Sequence, residues 1–129
     1  MHKSKHRNYL YLFITGCYIA TIFYLSLMPD SSLRIGNSKI EKILWNLGHI
    51  PLYSILGVTL YLTITSIISP TPGKFICSML VFIIGIAVGV ADELMQSFSP
   101  GRMTSALDII LDVTGIAAAV LFMNNRFAG

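Results

Sequence analysis

The sequence predicts an all-α integral membrane protein with four transmembrane helices in one antiparallel bundle. Hydrophobic residues make up 54% of the 129 residues and charged residues only 12%, whereas soluble proteins average about 25% charged residues. The mean hydropathy is +0.72. Four apolar runs reach membrane-spanning length, and such runs must be helical because the bilayer satisfies no backbone hydrogen bonds. The length predicts a single membrane domain, 1–129.

The four predicted spans are about 9–28, 43–68, 75–97 and 105–123. The first follows a basic N-terminus and ends at the sequence PDSS; without a small-residue cleavage site after it, we expect a retained signal anchor. The second follows a polar loop and ends at SPTPGK, which no helix crosses unbroken. A turn at SPGR separates the third span from the fourth.

The charged loops favour both termini in the cytoplasm of a multi-pass cell-membrane protein. The N-terminal side carries five basic residues and the opposite side four, and the strongly basic flank of the first helix decides the orientation; the two sets are Lys3, Lys5, Arg7, Lys74 and Arg126, against Arg34, Lys39, Lys42 and Arg102. We therefore expect the first and third loops outside.

The sequence argues against nucleic acid as a partner and against a cysteine metal site. No basic run is interleaved with aromatic residues, which argues against nucleic acid and leaves membrane lipids. Cys17 and Cys77 lie in apolar segments without metal-ligand spacing, which favours ordinary core residues.

The most informative stretch is 91–115, which holds four of the six acidic residues: Asp92, Glu93, Asp108 and Asp112. Ionisable groups at membrane depth are costly, by roughly 2.5–3.5 kcal/mol each on insertion scales, and commonly mark functional sites. Ser105 to Asp108 also fits a capping box, so Asp108 has a structural explanation besides a functional one.

Helical periodicity arranges these residues in stripes. Gly85, Gly89, Asp92 and Gln96 share one face of the third span, and Asp108, Asp112, Gly115 and Ala119 share one face of the fourth. Small residues let helices approach closely in lipid. We therefore expect the two stripes to face each other, with the acids towards the outer side.

The second span brings further polar groups to similar depth. Lys42, Asn46, His49 and Tyr53 lie on one face, with Tyr53 expected as a supporting polar or belt residue. Arg102 is either an interfacial cation or a fork for a carboxylate or phosphate. Glu93 points away from Asp92 and is expected to pair with Arg102 or to face water.

The excess of carboxylates requires either protonation or a bound cation. The oxygen-rich set suits a divalent cation, and a histidine would extend the choice to Zn²⁺. The candidate ligands are His49, Asp92 and Asp108, and no motif selects the metal.

The order and spacing of these residues resemble the VanZ-like family over about 46–115. The residues that carry the resemblance are Gly48, His49, Tyr53, Leu56, Gly57, Asp92, Glu93, Gln96, Phe98, Pro100, Gly101, Arg102, Asp108 and Gly115. The family often has Asn where this chain has Asp112, which indicates an oxygen donor there rather than a required charge.

The resemblance implies a small multi-helix membrane protein of the bacterial cell envelope, in a family linked to teicoplanin resistance. One hypothesis is that the outer polar cluster binds an anionic ligand, a glycopeptide or a lipid-linked cell-wall precursor. A second is a hydrolase or transferase acting on a lipid-linked phosphate or sugar, with His49, Asp92 and Arg102 as catalytic residues. A third is a proton or cation path.

Overall fold

The computed structural model describes residues 2–29, 39–68, 70, 72–102 and 105–127. Its helices are α1 (His2–Ser26), α2 (Lys39–Leu47), α3 (His49–Ile67), α4 (Lys74–Gln96) and α5 (Ala106–Arg126). Arg34, one of the basic residues on which the predicted orientation depends, lies outside these ranges, as does most of the first loop.

The predicted four spans are confirmed. The helices long and apolar enough to cross a membrane cover His6–Ser26, Ile43–Ile67, Lys74–Gln96 and Ala106–Arg126. Large apolar side chains point outwards along them, for example Phe13, Phe75, Ile83 and Leu121. Such a surface suits a hydrocarbon solvent, and the chain is a multi-pass membrane protein.

The second span differs from the prediction because it is interrupted at Gly48. Pro51 has no N–H to donate to the carbonyl of Leu47, which removes one helical hydrogen bond at this point. The Gly48 N–H keeps the helical bond to the Leu44 carbonyl and also bonds to that of Trp45. The interruption makes His49 the first residue of α3.

The core forms around α3, which packs against α1, α4 and α5, most extensively against α5. Tyr53, Leu56, Val81 and Ile116 are completely buried there. At the end of the bundle nearer the termini, the Tyr61 hydroxyl donates to Asn124 Oδ1 at 2.9 Å. The acids of α4 and α5 lie towards the other end.

The predicted facing of the small-residue stripes is only partly correct. On α4, a Cβ added to Gly85 would meet Ile116 of α5, as expected. On α5, however, Gly115 and Ala119 pack against α3: a Cβ on Gly115 would lie 2.4 Å from the Ile50 carbonyl oxygen. Ala119 lies against Gly57 in the same way. The small residues of the α5 stripe therefore pack against α3 more than against α4.

Gly115→Ala is expected to destabilise the bundle by about 1–3 kcal/mol, the usual effect of overpacking. The new methyl group would meet backbone atoms of α3, which cannot rotate away. The measurement is the free energy of unfolding in mixed micelles. Gly16→Ala is the matched control because a Cβ there meets nothing within 4 Å; equal stabilities for the two variants would contradict the close approach.

Candidate functional site

Asp92 is the centre of a buried hydrogen-bond network, with only 1% of its surface exposed. Its Oδ2 accepts a hydrogen bond from the Tyr53 hydroxyl at 3.1 Å and from Gln96 Nε2 at 3.3 Å. Its Oδ1 accepts from the Ser26 hydroxyl at the end of α1. The network joins α1, α3 and α4 through one carboxylate.

His49 and Asp112 form a second buried unit beside this network. His49 Nδ1 lies 2.7 Å from Asp112 Oδ1, and their side chains are 13% and 1% exposed. The His49 ring lies parallel to that of Tyr53, four residues later on the same helix face, at 6.3 Å between centroids. His49 thus joins α3 to α5 at this end of the bundle.

The two units meet in one cluster. Ligand atoms of His49, Asp92 and Asp112, from α3, α4 and α5, all lie within 4.8 Å of one another. The second carboxylate oxygen of Asp112, Oδ2, is buried and has no hydrogen-bond partner among the residues that the structure describes. The sequence-based ligand set named Asp108 instead of Asp112; the structure brings together Asp112, one helical turn deeper.

The side chains of Asp108, in the first turn of α5, and Glu93, near the end of α4, lie around the start of α5. Ser105 is its N-cap and accepts from the Leu107 N–H at 3.2 Å, whereas the capping box predicts a bond from the Asp108 N–H. The reciprocal bond differs, because the Ser105 N–H donates to Glu93 Oε2 at 2.9 Å. Within the described ranges, Asp108 Oδ1 and Glu93 Oε1 are buried without partners. Glu93 thus takes the role that the pattern gives to Asp108.

Arg102 holds the loop between α4 and α5 against the end of α1. Its Nη1 donates to the carbonyls of Leu25 and Ser26 at 3.0 and 3.2 Å, and Ser99 also donates to the Ser26 carbonyl. The predicted partner Glu93 is bonded to Ser105 instead. Among the described residues, Arg102 makes these bonds with Nη1 alone, which leaves other N–H donors of the guanidinium for further contacts.

A half-open pocket of about 150 Å³ reaches this cluster. Its wall combines an apolar side with a polar side that includes His49, Asp92 and Arg102. The lining residues are Ile22, Leu25, Ser26, Trp45, Gly48, His49, Leu52, Asp92, Gln96 and Arg102. The pocket therefore offers an apolar surface next to hydrogen-bonding and charged groups.

One residue of the Asp92 network, Ser26, is missed by sequence reasoning. It is the last residue of α1, and its hydroxyl bonds to Asp92. The signal available in the sequence is its position just before the sequence PDSS, at the bundle end where the acids are expected. Tyr53, expected as a supporting polar residue, is completely buried and bonded to Asp92.

The fold and the site define a small four-span helical membrane protein with a buried His/Asp cluster at one end of its bundle. The chain belongs to the VanZ family: the family model described as VanZ/LLP1 matches residues 7–126, which confirms the resemblance carried by the motifs. No curated protein and no solved structure matches the chain.

Proposed function

We propose that this protein is a membrane-embedded enzyme of the cell envelope that hydrolyses or transfers the head group of a lipid-linked phosphate or sugar. The observation that carries the proposal is the His49–Asp112 pair next to Asp92 in a pocket with an apolar side. Ordered His–carboxylate pairs are the usual form of a general base. The apolar side suits the lipid part of the substrate.

His49 is the base in this proposal. Asp112 binds Nδ1 and fixes the ring, so Nε2 remains for proton transfer. Nε2 takes a proton from water or an acceptor hydroxyl, whose oxygen bonds to phosphorus or to the anomeric carbon. The bond from that atom to the lipid oxygen breaks, and the proton passes to the departing oxygen.

Asp92 has a different task, because its oxygens already accept three hydrogen bonds. These donors stabilise the ionised carboxylate and hold it in one orientation. Asp92 is therefore a fixed acceptor for the substrate or a ligand for a cation, and a less effective base than His49.

Arg102 and the apolar side would recognise the two parts of the substrate. The free N–H groups of the guanidinium match phosphate oxygens. Ile22, Leu25 and Leu52 line the pocket and suit an isoprenoid chain. Both termini lie in the cytoplasm in this proposal, so the site faces the outer leaflet, where lipid-linked wall precursors are used.

The test is head-group release by the purified full-length protein from undecaprenyl-linked phosphate, pyrophosphate and sugar substrates. Release from at least one class is expected, together with protection of the protein against unfolding by that class. If none of these lipids is turned over by folded protein in nanodiscs, with divalent cations supplied, the enzyme proposal is wrong.

Trp45 provides a direct test of ligand binding, because it is the chain's single tryptophan and lines the pocket while 41% exposed. Saturating polyprenyl phosphate in nanodiscs is expected to change the intensity and emission maximum of its fluorescence. Arg102→Gln should weaken the binding by about 10–100-fold, the value of a hydrogen bond to a charged group.

The control for the Trp45 titration is free polyprenol, which presents the same chain without the phosphate. An equal change in Trp45 fluorescence with polyprenol and with polyprenyl phosphate would show that Arg102 does not recognise the phosphate group. No response to either lipid would place the substrate elsewhere.

A second candidate function is binding without chemistry, in which the pocket retains a lipid-bearing glycopeptide or its lipid-linked target and reduces teicoplanin action. The exposed indole beside apolar pocket residues favours this candidate. It predicts that Asp92→Ala or Arg102→Ala, inserted and abundant like the wild type, loses teicoplanin tolerance. Unchanged tolerance in both variants would exclude the pocket from such a role.

A further inference from the structure

We infer that His49, Asp92 and Asp112 bind one divalent transition-metal ion, Zn²⁺ or Mn²⁺. The inference rests on the proposed function and changes one role within it: with the ion bound, His49 would be a ligand rather than the base, and the ion would activate water in its place. Three candidate ligand atoms from three helices lie within 4.8 Å of one another. Bonds of about 2.0–2.2 Å place the ligands of one ion roughly 3–4 Å apart, so small side-chain adjustments complete the coordination.

The unpartnered oxygen of Asp112 is an independent indication. Asp112 is 1% exposed; in the described part of the chain no donor reaches its Oδ2, while its Oδ1 is bonded to His49. Buried polar atoms without a partner are rare in native proteins. A Cβ added to Gly89 would lie only 3.1 Å from this oxygen, so the absence of a side chain there leaves room beside it. A cation would satisfy this oxygen.

The charge balance points the same way. Asp92, Glu93, Asp108 and Asp112 are all buried near one bundle end, and uncompensated buried charge is strongly unfavourable. Arg102, which lines the same pocket, directs hydrogen bonds to backbone carbonyls. A divalent ion between His49, Asp92 and Asp112 would supply compensating charge where two of the acids meet.

The donor types select the class of metal. One imidazole nitrogen with carboxylate oxygens suits Zn²⁺ or Mn²⁺, whereas Mg²⁺ and Ca²⁺ prefer oxygen alone. Asp92 accepts three hydrogen bonds, which leaves one of the roughly four lone-pair positions of a carboxylate for an ion. Three protein ligands keep a coordination position open, as catalytic zinc sites do.

The test uses the full-length protein in detergent, stripped with a chelator and then dialysed against Zn²⁺ or Mn²⁺. Wild-type protein should retain about one ion per chain by elemental analysis and unfold at a higher temperature with the ion than without it. Asp112→Asn and His49→Ala should each weaken binding by more than about 100-fold, beyond the 10–100-fold effect of losing a group that only orients a ligand.

Two controls separate a defined site from general attraction to acids. Asp108→Asn removes a buried carboxylate from the same helix, and Asn124→Ala alters the opposite bundle end; both should retain the ion in full. Wild-type protein that binds no more metal than folded Asp112→Asn would overturn the inference. Equal loss of the ion in Asp108→Asn would also overturn this ligand set.

The two proposals fail in different ways. Head-group release by wild-type protein that binds no more metal than folded Asp112→Asn would overturn the metal site and leave the enzyme proposal standing, with His49 as its base. Stoichiometric metal without turnover of any lipid-linked substrate would support the metal site and contradict the enzyme proposal.

Discussion

His49→Gln is expected to lower head-group release by about 10²–10⁴-fold, the usual contribution of a general base. Glutamine retains a polar group next to Asp112 but cannot take up a proton in the reaction. The Asp92 network, which does not use the imidazole, stays intact. The measurement is turnover under saturating substrate, together with the unfolding temperature of the same preparation.

The control for His49→Gln is His6→Gln, which changes an exposed histidine near the start of α1. This variant should turn over substrate at the wild-type rate. A folded His49→Gln protein with unchanged turnover would remove His49 from the chemistry and leave the pocket as a binding site.

Asp92→Ala is expected to lower the free energy of unfolding by at least about 2 kcal/mol. The Tyr53 hydroxyl and the Gln96 amide lose the acceptor that they share, and each buried unsatisfied group costs about 1–3 kcal/mol. Ser26 loses less, because its hydroxyl also bonds to the Ile22 carbonyl at 2.9 Å. Unfolding by detergent titration gives the value.

Two further variants, Tyr53→Phe and Thr114→Ala, provide comparisons for the lower free energy of unfolding of Asp92→Ala. Tyr53→Phe removes a single donor from Asp92 and should cost about 1 kcal/mol. Thr114 is exposed and bonds only within its own helix, to the Ile110 carbonyl, so its replacement should have little effect. If Asp92→Ala were as stable as Thr114→Ala, the network would not stabilise the fold.

The spans were predictable because long apolar runs between turn sequences cross a bilayer as helices, which satisfy their own backbone hydrogen bonds. The interruption at Gly48 was harder to foresee. Pro51 is tolerated within helices of membrane proteins when other groups satisfy the freed carbonyl. Sequence alone does not decide between a continuous helix and the break that places His49 at the start of α3.

Helix pairing was less predictable than helix position. Periodicity grouped Gly115 and Ala119 on one face of α5, but two neighbouring helices compete for that face. The structure gives it to α3, where the Ile50 carbonyl and Gly57 approach closely. The periodicity of a sequence shows which residues share one face of a helix, but not which neighbouring helix packs against that face.

The site was predicted in its residues more than in its contacts. The pattern places His49 and Asp92 at similar depth, and Gln96 one level shallower on the same face as Asp92. The structure joins Gln96 to Asp92 and places His49 and Asp92 together. The partner of His49 was uncertain because Asp108 and Asp112 share one helix face. Only the three-dimensional packing shows that Asp112 meets the imidazole, while Glu93 bonds to the backbone at the N-cap.

The most direct test of the central claim, that the cluster is one working site, is a double-mutant cycle on head-group release with His49→Gln, Asp112→Asn and the combined variant. Residues that act as one unit lose activity non-additively, so the combined variant should be no more than slightly slower than His49→Gln alone. Losses that multiply, or wild-type rates in both single variants, would contradict the account.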